Sequence, residues 1–171
     1  GKKWSEGVDG ENGNYDFLIF NDVDFDHPEV VEEMKRWGIW ISQTLNADGM
    51  RLDALKHIKN AFIADFMHSV RASRGKEFYA VGEYWSGDFE SLEAYLDAVD
   101  HQIDLFDAPL HFKLFTASQQ GRDFDMRTLL DDTLVQKYPT LAVTFVDNHD
   151  SQRGSSLESQ VKSWFKPLAY G

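Results

Sequence analysis

No cysteine occurs in the chain, which excludes disulfide staples and thiolate nucleophiles and leaves the redox compartment unmarked. Positive charge is scarce: 17 Lys and Arg stand against 29 Asp and Glu, a formal net charge of -12. A chain this acidic repels phosphate backbones, so nucleic acid is not an expected partner. Cations or a neutral substrate suit it better. No apolar run approaches the roughly 20 residues of a membrane-spanning helix, so no membrane partner is expected. Low-complexity tracts, internal repeats and composition shifts marking a linker are also lacking. No export signal is visible, but neither is an initiating Met. The sequence therefore reads as an internal piece of a longer chain, and its localisation, secreted or cytoplasmic, is left open.

What is present is globular. Hydrophobic residues make up 42% and aromatics 14% of 171 residues, enough for one domain with a real core. Residues 1–27 are rich in Gly, Asn and Asp and read as irregular. Pro28, with Glu29 beside it, opens a helix predicted to run to Leu45. Asn46 to Gly49 is a turn. Strands are predicted at Met50–Leu55, Phe78–Tyr84, Ile103–Leu110 and Leu141–Asp147. Helices are predicted at Ala61–Ala72, Asp88–Ala98, Met126–Val135 and Ser156–Ala169. Strands separated by single helices imply parallel βαβ units.

The acids fall at one place in this pattern. Asp53, Glu83 and Asp150 each sit at or just past the C-terminal end of an apolar strand, the edge where parallel α/β folds gather ligands and catalytic groups. Arg51 and Asp53 are two apart in a strand and so share a face. A guanidinium beside a carboxylate keeps it ionised, the state a carboxylate nucleophile needs. Glu83 lies in Val81-Gly82-Glu83-Tyr84-Trp85, where burial against aromatics favours the protonated form of a general acid. Two carboxyls with opposed protonation states are the minimum set for glycoside hydrolysis. His149 and Asp150, in Val146-Asp147-Asn148-His149-Asp150, can bind sugar hydroxyls. Trp85 can stack on a sugar face, while Phe62, Phe66, Phe112 and Phe115 read as core. His68, His101 and His111 read as structural.

With Gly49-Met50-Arg51-Leu52-Asp53-Ala54-Leu55-Lys56-His57, Val81 to Trp85, and Phe145-Val146-Asp147-Asn148-His149-Asp150 in this order and spacing, the chain resembles the α-amylases of glycoside hydrolase family 13. The likeness is strongest to the bacterial liquefying type. It extends over Glu11 to Asp16 and Trp164 to Tyr170. It implies an α/β fold, a partial TIM (β/α)8 barrel of about strands four to seven with their helices. Residues 1–27 would be the tail of an inserted calcium-binding loop domain, and 28–171 the central part of the catalytic barrel. A half barrel has two unpaired sheet edges, so the piece alone is expected to be inactive and to aggregate.

The resemblance also implies roles. Asp53 would be the nucleophile, Glu83 the acid and base, and Asp150 the stabiliser of the oxocarbenium-like transition state. Arg51 would orient Asp53, and Lys56, His57, Trp85 and His149 would contact substrate. The implied reaction is retaining endo-hydrolysis of α-1,4-glucosidic bonds in starch, glycogen or maltooligosaccharides. Asp53 and Glu83 would then lie about 5 Å apart. A monomer is expected. Exo-acting α-glucosidases and transglycosylases share these motifs. A metal-dependent phosphoesterase, or a sugar-binding relative without activity, are the more distant alternatives.

Asp16, Asp22, Asp24 and Asp26 crowd one acidic stretch. Hard oxygen donors on a loop suit calcium, although the spacing is not that of an EF-hand. The resemblance makes Asp16, Asp22 and the His57 carbonyl ligands of a structural calcium. It makes Asp24 and Asp26 candidates for a second metal. Ser5 stands where members with that second metal usually carry Asp, and a neutral hydroxyl is a poorer calcium ligand.

Overall fold

The computed structural model describes residues 23–170, which form two compact units. One holds the described residues up to 85 together with 94–104. The other holds 86–93 and the residues from 105 onward.

The first unit begins with α1 (Pro28–Thr44), β1 (Gly49–Leu52), a short 3-10 turn (Leu55–His57), α2 (Asn60–Arg74) and β2 (Tyr79–Gly82). Pro28 starts α1, where a missing N–H costs nothing. Gly75, at φ +108°, caps α2 with its N–H on the Arg71 carbonyl. β1 and β2 pair in parallel, with Gly49 opposite Tyr79 and Leu52 opposite Gly82. A methyl group on Gly49 would lie 2.7 Å from the Tyr79 carbonyl oxygen, so the two strands close only over a glycine. Phe62, Ile63, Phe66, Met67 and Val70 line the buried face of α2. Phe66 and Val70 pack over Gly38 of α1. Burial of such side chains stabilises by about 1.5–3 kcal/mol each.

α3 (Phe89–Ala98) and β3 (Asp104–Phe106) span the boundary between the units. The second unit continues with α4 (Ala108–Gln120), the one-turn helix α5 (Leu134–Lys137), β4 (Ala142–Val143) and α6 (Phe165–Tyr170). β3 and β4 pair in parallel. Leu110, Leu114 and Val161 form a buried cluster, with Phe115, Leu129, Val135, Val146 and Leu168 packed on it.

The alternation of parallel strands and helices agrees with a partial barrel, but several boundaries differ from the sequence expectation. The strand expected to reach Leu110 stops at Phe106, because Asp107 starts α4. Its Oδ1 accepts the Leu110 N–H at 3.0 Å, and Pro109 lies in the first turn. The helix expected at Met126–Val135 is a 3-10 turn at Met126–Thr128 followed by α5, because Asp132, at φ +51°, breaks it. β4 is two residues rather than seven. Of the helix expected at Ser156–Ala169, only a 3-10 turn at Lys162–Trp164 and α6 form. The Ser159 N–H is bonded to the Ser151 carbonyl and the Val161 N–H to Asp147, so neither joins a helical ladder. No described helix is long and apolar enough to cross a membrane.

Candidate active site

The end of β1 is wrapped around Glu83. The Glu83 N–H donates to the Leu52 carbonyl at 2.8 Å, and the Leu55 N–H donates back to the Glu83 carbonyl at 3.0 Å. Between those bonds lie Asp53 and Ala54. The Ala54 N–H donates to Glu83 Oε2 at 2.9 Å. To make that bond, Ala54 takes the left-handed conformation, φ 51° and ψ 47°, at a cost of about 1 kcal/mol or more for a residue with a Cβ. An N–H on Oε2 fixes that oxygen as an acceptor, so a proton on this carboxyl belongs on Oε1.

Arg51 joins the two acids. It makes an ion pair with Asp53 Oδ1 through Nη1, while its Nη2 lies 4.0 Å from Glu83 Oε2. The acids differ in environment: the Asp53 side chain is 68% exposed and that of Glu83 is 11% exposed. An exposed, arginine-paired carboxylate can attack a substrate carbon. A buried carboxyl, short of water, can exchange a proton with it. The Lys56 ammonium lies 5.7 Å from the Tyr84 ring centre, and Tyr84 packs on Tyr95 at 4.9 Å. His57 ends the 3-10 turn that follows Asp53, and Trp85 is half-buried just beyond Tyr84.

In the second unit, His149 Nε2 lies 3.2 Å from Asp150 Oδ2. Asn148 builds the turn that presents them, with its Oδ1 accepting the N–H groups of Asp150 (2.9 Å) and Ser151 (2.8 Å). Asp147 is bound within the loop. Its carboxylate accepts the Val161 N–H at 3.2 and 3.3 Å, and the Ser151 hydroxyl lies 3.3 Å away.

Of the acidic stretch, Asp16 and Asp22 lie outside the described residues. Asp24 Oδ1 accepts the Asp26 N–H at 2.9 Å, and Asp26 is paired with the Lys59 ammonium. Among the described residues, no three His, Asp or Glu side chains cluster as a metal site.

The sequence reading overlooked the groups that hold these acids: Ala54, Asp107, Asp147, Ser151 and Ser159. Only Asp107 carried a local signal, the acid–Ala–Pro start of a helix. His111, read as structural, is fully buried with polar partners on both ring nitrogens. His101 pairs with Asp97 at 3.0 Å, and His68 is exposed.

A family model for the α-amylase catalytic domain matches residues 9–168. An α-amylase of Geobacillus stearothermophilus is 56% identical over 99% of this chain and 31% of its own length. An α-amylase of Bacillus licheniformis is 54% identical over 99% of this chain and 33% of its own. The chain thus spans about a third of the length of these relatives. Among solved structures, an Anoxybacillus α-amylase superposes with a TM-score of 0.72 at 26% identity, over 86% of this chain and 34% of that one. An α-amylase of Geobacillus thermoleovorans complexed with acarbose superposes with a TM-score of 0.69 at 26% identity, with the same coverage.

Proposed function

The chain belongs to the α-amylase catalytic-domain family, and from that premise we propose that it carries the central part of a retaining, endo-acting α-glucanase. An Asp53 oxygen attacks the anomeric carbon and the glycosidic C–O bond breaks. Glu83 passes its proton to the departing oxygen. Glu83 then takes a proton from water, whose oxygen displaces Asp53 and restores the original anomeric configuration. Asp150 and His149 bind sugar hydroxyls, and the Asp150 carboxylate offsets the positive charge that develops on the ring. Arg51 orients Asp53, and Lys56, His57 and Trp85 contact the glucan around the cleaved bond.

The observation that carries this reading is the lashing of Glu83 between Leu52, Ala54 and Leu55. It fixes a buried carboxyl against the backbone on either side of an exposed, arginine-paired one. The test uses a maltooligosaccharide blocked at its non-reducing end, with the full-length protein that carries this chain. Wild type is expected to cleave it, and Glu83→Gln to lower kcat by roughly a thousandfold or more. A well-folded wild type that leaves the blocked substrate intact would reject endo-action.

Calcium is part of the same proposal. Carboxylate and carbonyl oxygens are its preferred donors, and Asp16, Asp22 and the His57 carbonyl would hold it. His57 follows the Asp53 strand end by one turn, so a cation there would tie the acidic stretch to β1 and supply stability. Asp24 and Asp26 suit a second metal less well, because Asp26 already binds the Lys59 ammonium.

A further inference from the structure

We propose that His111 is a positioning residue, closing the neck of the loop that presents His149 and Asp150. The proposal rests on the reading of Asp150 as a substrate-binding acid. His111 stands one turn into α4, its N–H on the Asp107 carbonyl at 3.1 Å. That end of the helix is fixed. Asp107, itself fully buried, caps the helix through Oδ1 and binds the Val135 N–H through Oδ2 at 2.8 Å. The imidazole is clamped between rings. Phe145 stacks on it at 5.0 Å with an 8° interplanar angle, and Phe112 meets it nearly edge-on at 5.2 Å.

The two ring nitrogens grip both ends of one loop. Nδ1 is 2.6 Å from the Val146 carbonyl oxygen, the last peptide before Asp147-Asn148-His149-Asp150. Nε2 is 2.8 Å from the hydroxyl of Ser159, where the loop returns. A carbonyl only accepts, so Nδ1 carries the hydrogen. In a neutral ring Nε2 then accepts, and the Ser159 hydroxyl, whose single hydrogen also has the Leu157 carbonyl within reach at 3.0 Å, donates to it. With that hydroxyl turned to the imidazole, one tautomer serves both bonds. Two further clasps act in parallel: the Ser159 N–H on the Ser151 carbonyl at 3.0 Å, and Asp147 on the Val161 N–H. Val146 lies beyond the end of the β3–β4 ladder, so its carbonyl is placed by the imidazole. The position of Asp150 follows from that placement.

The test compares His111→Asn, His111→Gln and His111→Leu in the full-length protein. The Asn amide nitrogen takes the place of Nδ1 and can still donate to Val146. The Gln amide reaches only towards Ser159, and Leu keeps bulk without either bond. Three quantities are read: kcat and KM on the blocked maltooligosaccharide, Tm, and backbone hydrogen exchange of residues 147–152. The expected result for His111→Leu is faster exchange in 147–152 and a kcat loss of up to about a hundredfold, since small misplacements of catalytic groups cost this much. KM should stay within about threefold, and His111→Asn should recover most of the loss while His111→Gln does not. The proposal is overturned if Asn is no better than Leu, if kcat merely follows Tm across the three variants, or if exchange at 147–152 is unchanged. If wild type hydrolyses no glucan, the amylase reading fails by itself. The exchange comparison of Asn with Leu then decides the role of His111. If the Leu variant does not fold, the Asn and Gln pair decides it.

Discussion

Asp53 and Glu83 are placed by backbone, Asp150 by side chains. In the first unit, the register of β1 against β2 runs on past Leu52 and Gly82, and its last bonds fall on Glu83 itself. Once the strands pair, both acids are in place. In the second unit, the β3–β4 ladder ends at Val143, well short of Asp150. The interval is bridged by Asp147, Asn148, Ser151, Ser159 and the buried His111. A strand register tolerates change in side chains that do not cross between the strands. A side-chain frame fails wherever one of its members is removed, because each buried donor or acceptor left unpaired costs about 1–3 kcal/mol.

The sharpest way to break the first arrangement is at Gly49. In Gly49→Val the Cβ would lie 2.7 Å from the Tyr79 carbonyl and 2.8 Å from its Cβ, both parts of the neighbouring strand that cannot swing away. β1 and β2 must separate, at an expected loss of about 1–3 kcal/mol in urea unfolding. The kcat should fall further than stability explains, because Asp53 shifts against Glu83. Unchanged kcat would mean that register does not place the pair.

The second arrangement should reveal itself through pH. Burial holds the His111 ring below the usual imidazole range, against a weaker opposite pull from Asp147 and the Val146 bond. The unfolded chain therefore binds a proton that the folded chain refuses. Stability from this group is complete above the unfolded value of about 6.5 and is lost as pH falls from there towards the folded value. His111→Asn should remove that part of the pH dependence of Tm. A variant that keeps the whole slope would assign it elsewhere.

The smallest effect is expected at a surface pair of the second unit. Lys137 and the Tyr138 hydroxyl hold the Glu93 carboxyl below its ordinary range, Lys137 being the larger cause. In Lys137→Met, Glu93 should titrate closer to 4.5 by NMR with no measurable change in Tm or kcat, as exposed ion pairs contribute little. A change in kcat would show that the loop frame extends to this surface.

This contrast also explains what could be read from the sequence. The Arg51–Asp53 spacing and the acids at strand ends follow from a two-residue period and a chain direction, both local properties. The frame around Asp150 is not local, since Asp107, His111 and Ser159 are far apart in sequence and nothing near them announces a shared loop. α4 was misread for a related reason. Asp104-Leu105-Phe106-Asp107-Ala108-Pro109-Leu110 is a short, mostly apolar run that suits a strand, and the cap signal of Asp107 with Pro109 competes with that reading. The carboxylate decides it by binding two N–H groups at once, those of Leu110 and Val135. β4 was expected to be long because Leu141 to Val146 is apolar. Its length is instead limited by its partner, since the last bond of the pair is the Asp107 N–H on the Val143 carbonyl at 2.9 Å, where β3 gives way to α4.

The measurement that bears most directly on the account is covalent trapping. Glu83→Gln in the full-length protein would be mixed with an activated maltooligosyl fluoride, whose fluoride leaves without acid help, then quenched and digested for peptide mass spectrometry. A glycosyl adduct on the peptide carrying Asp53 is the predicted result. Turnover with inversion and no adduct, or an adduct on any other carboxylate, would contradict the assignment of Asp53 as nucleophile and Glu83 as its acid.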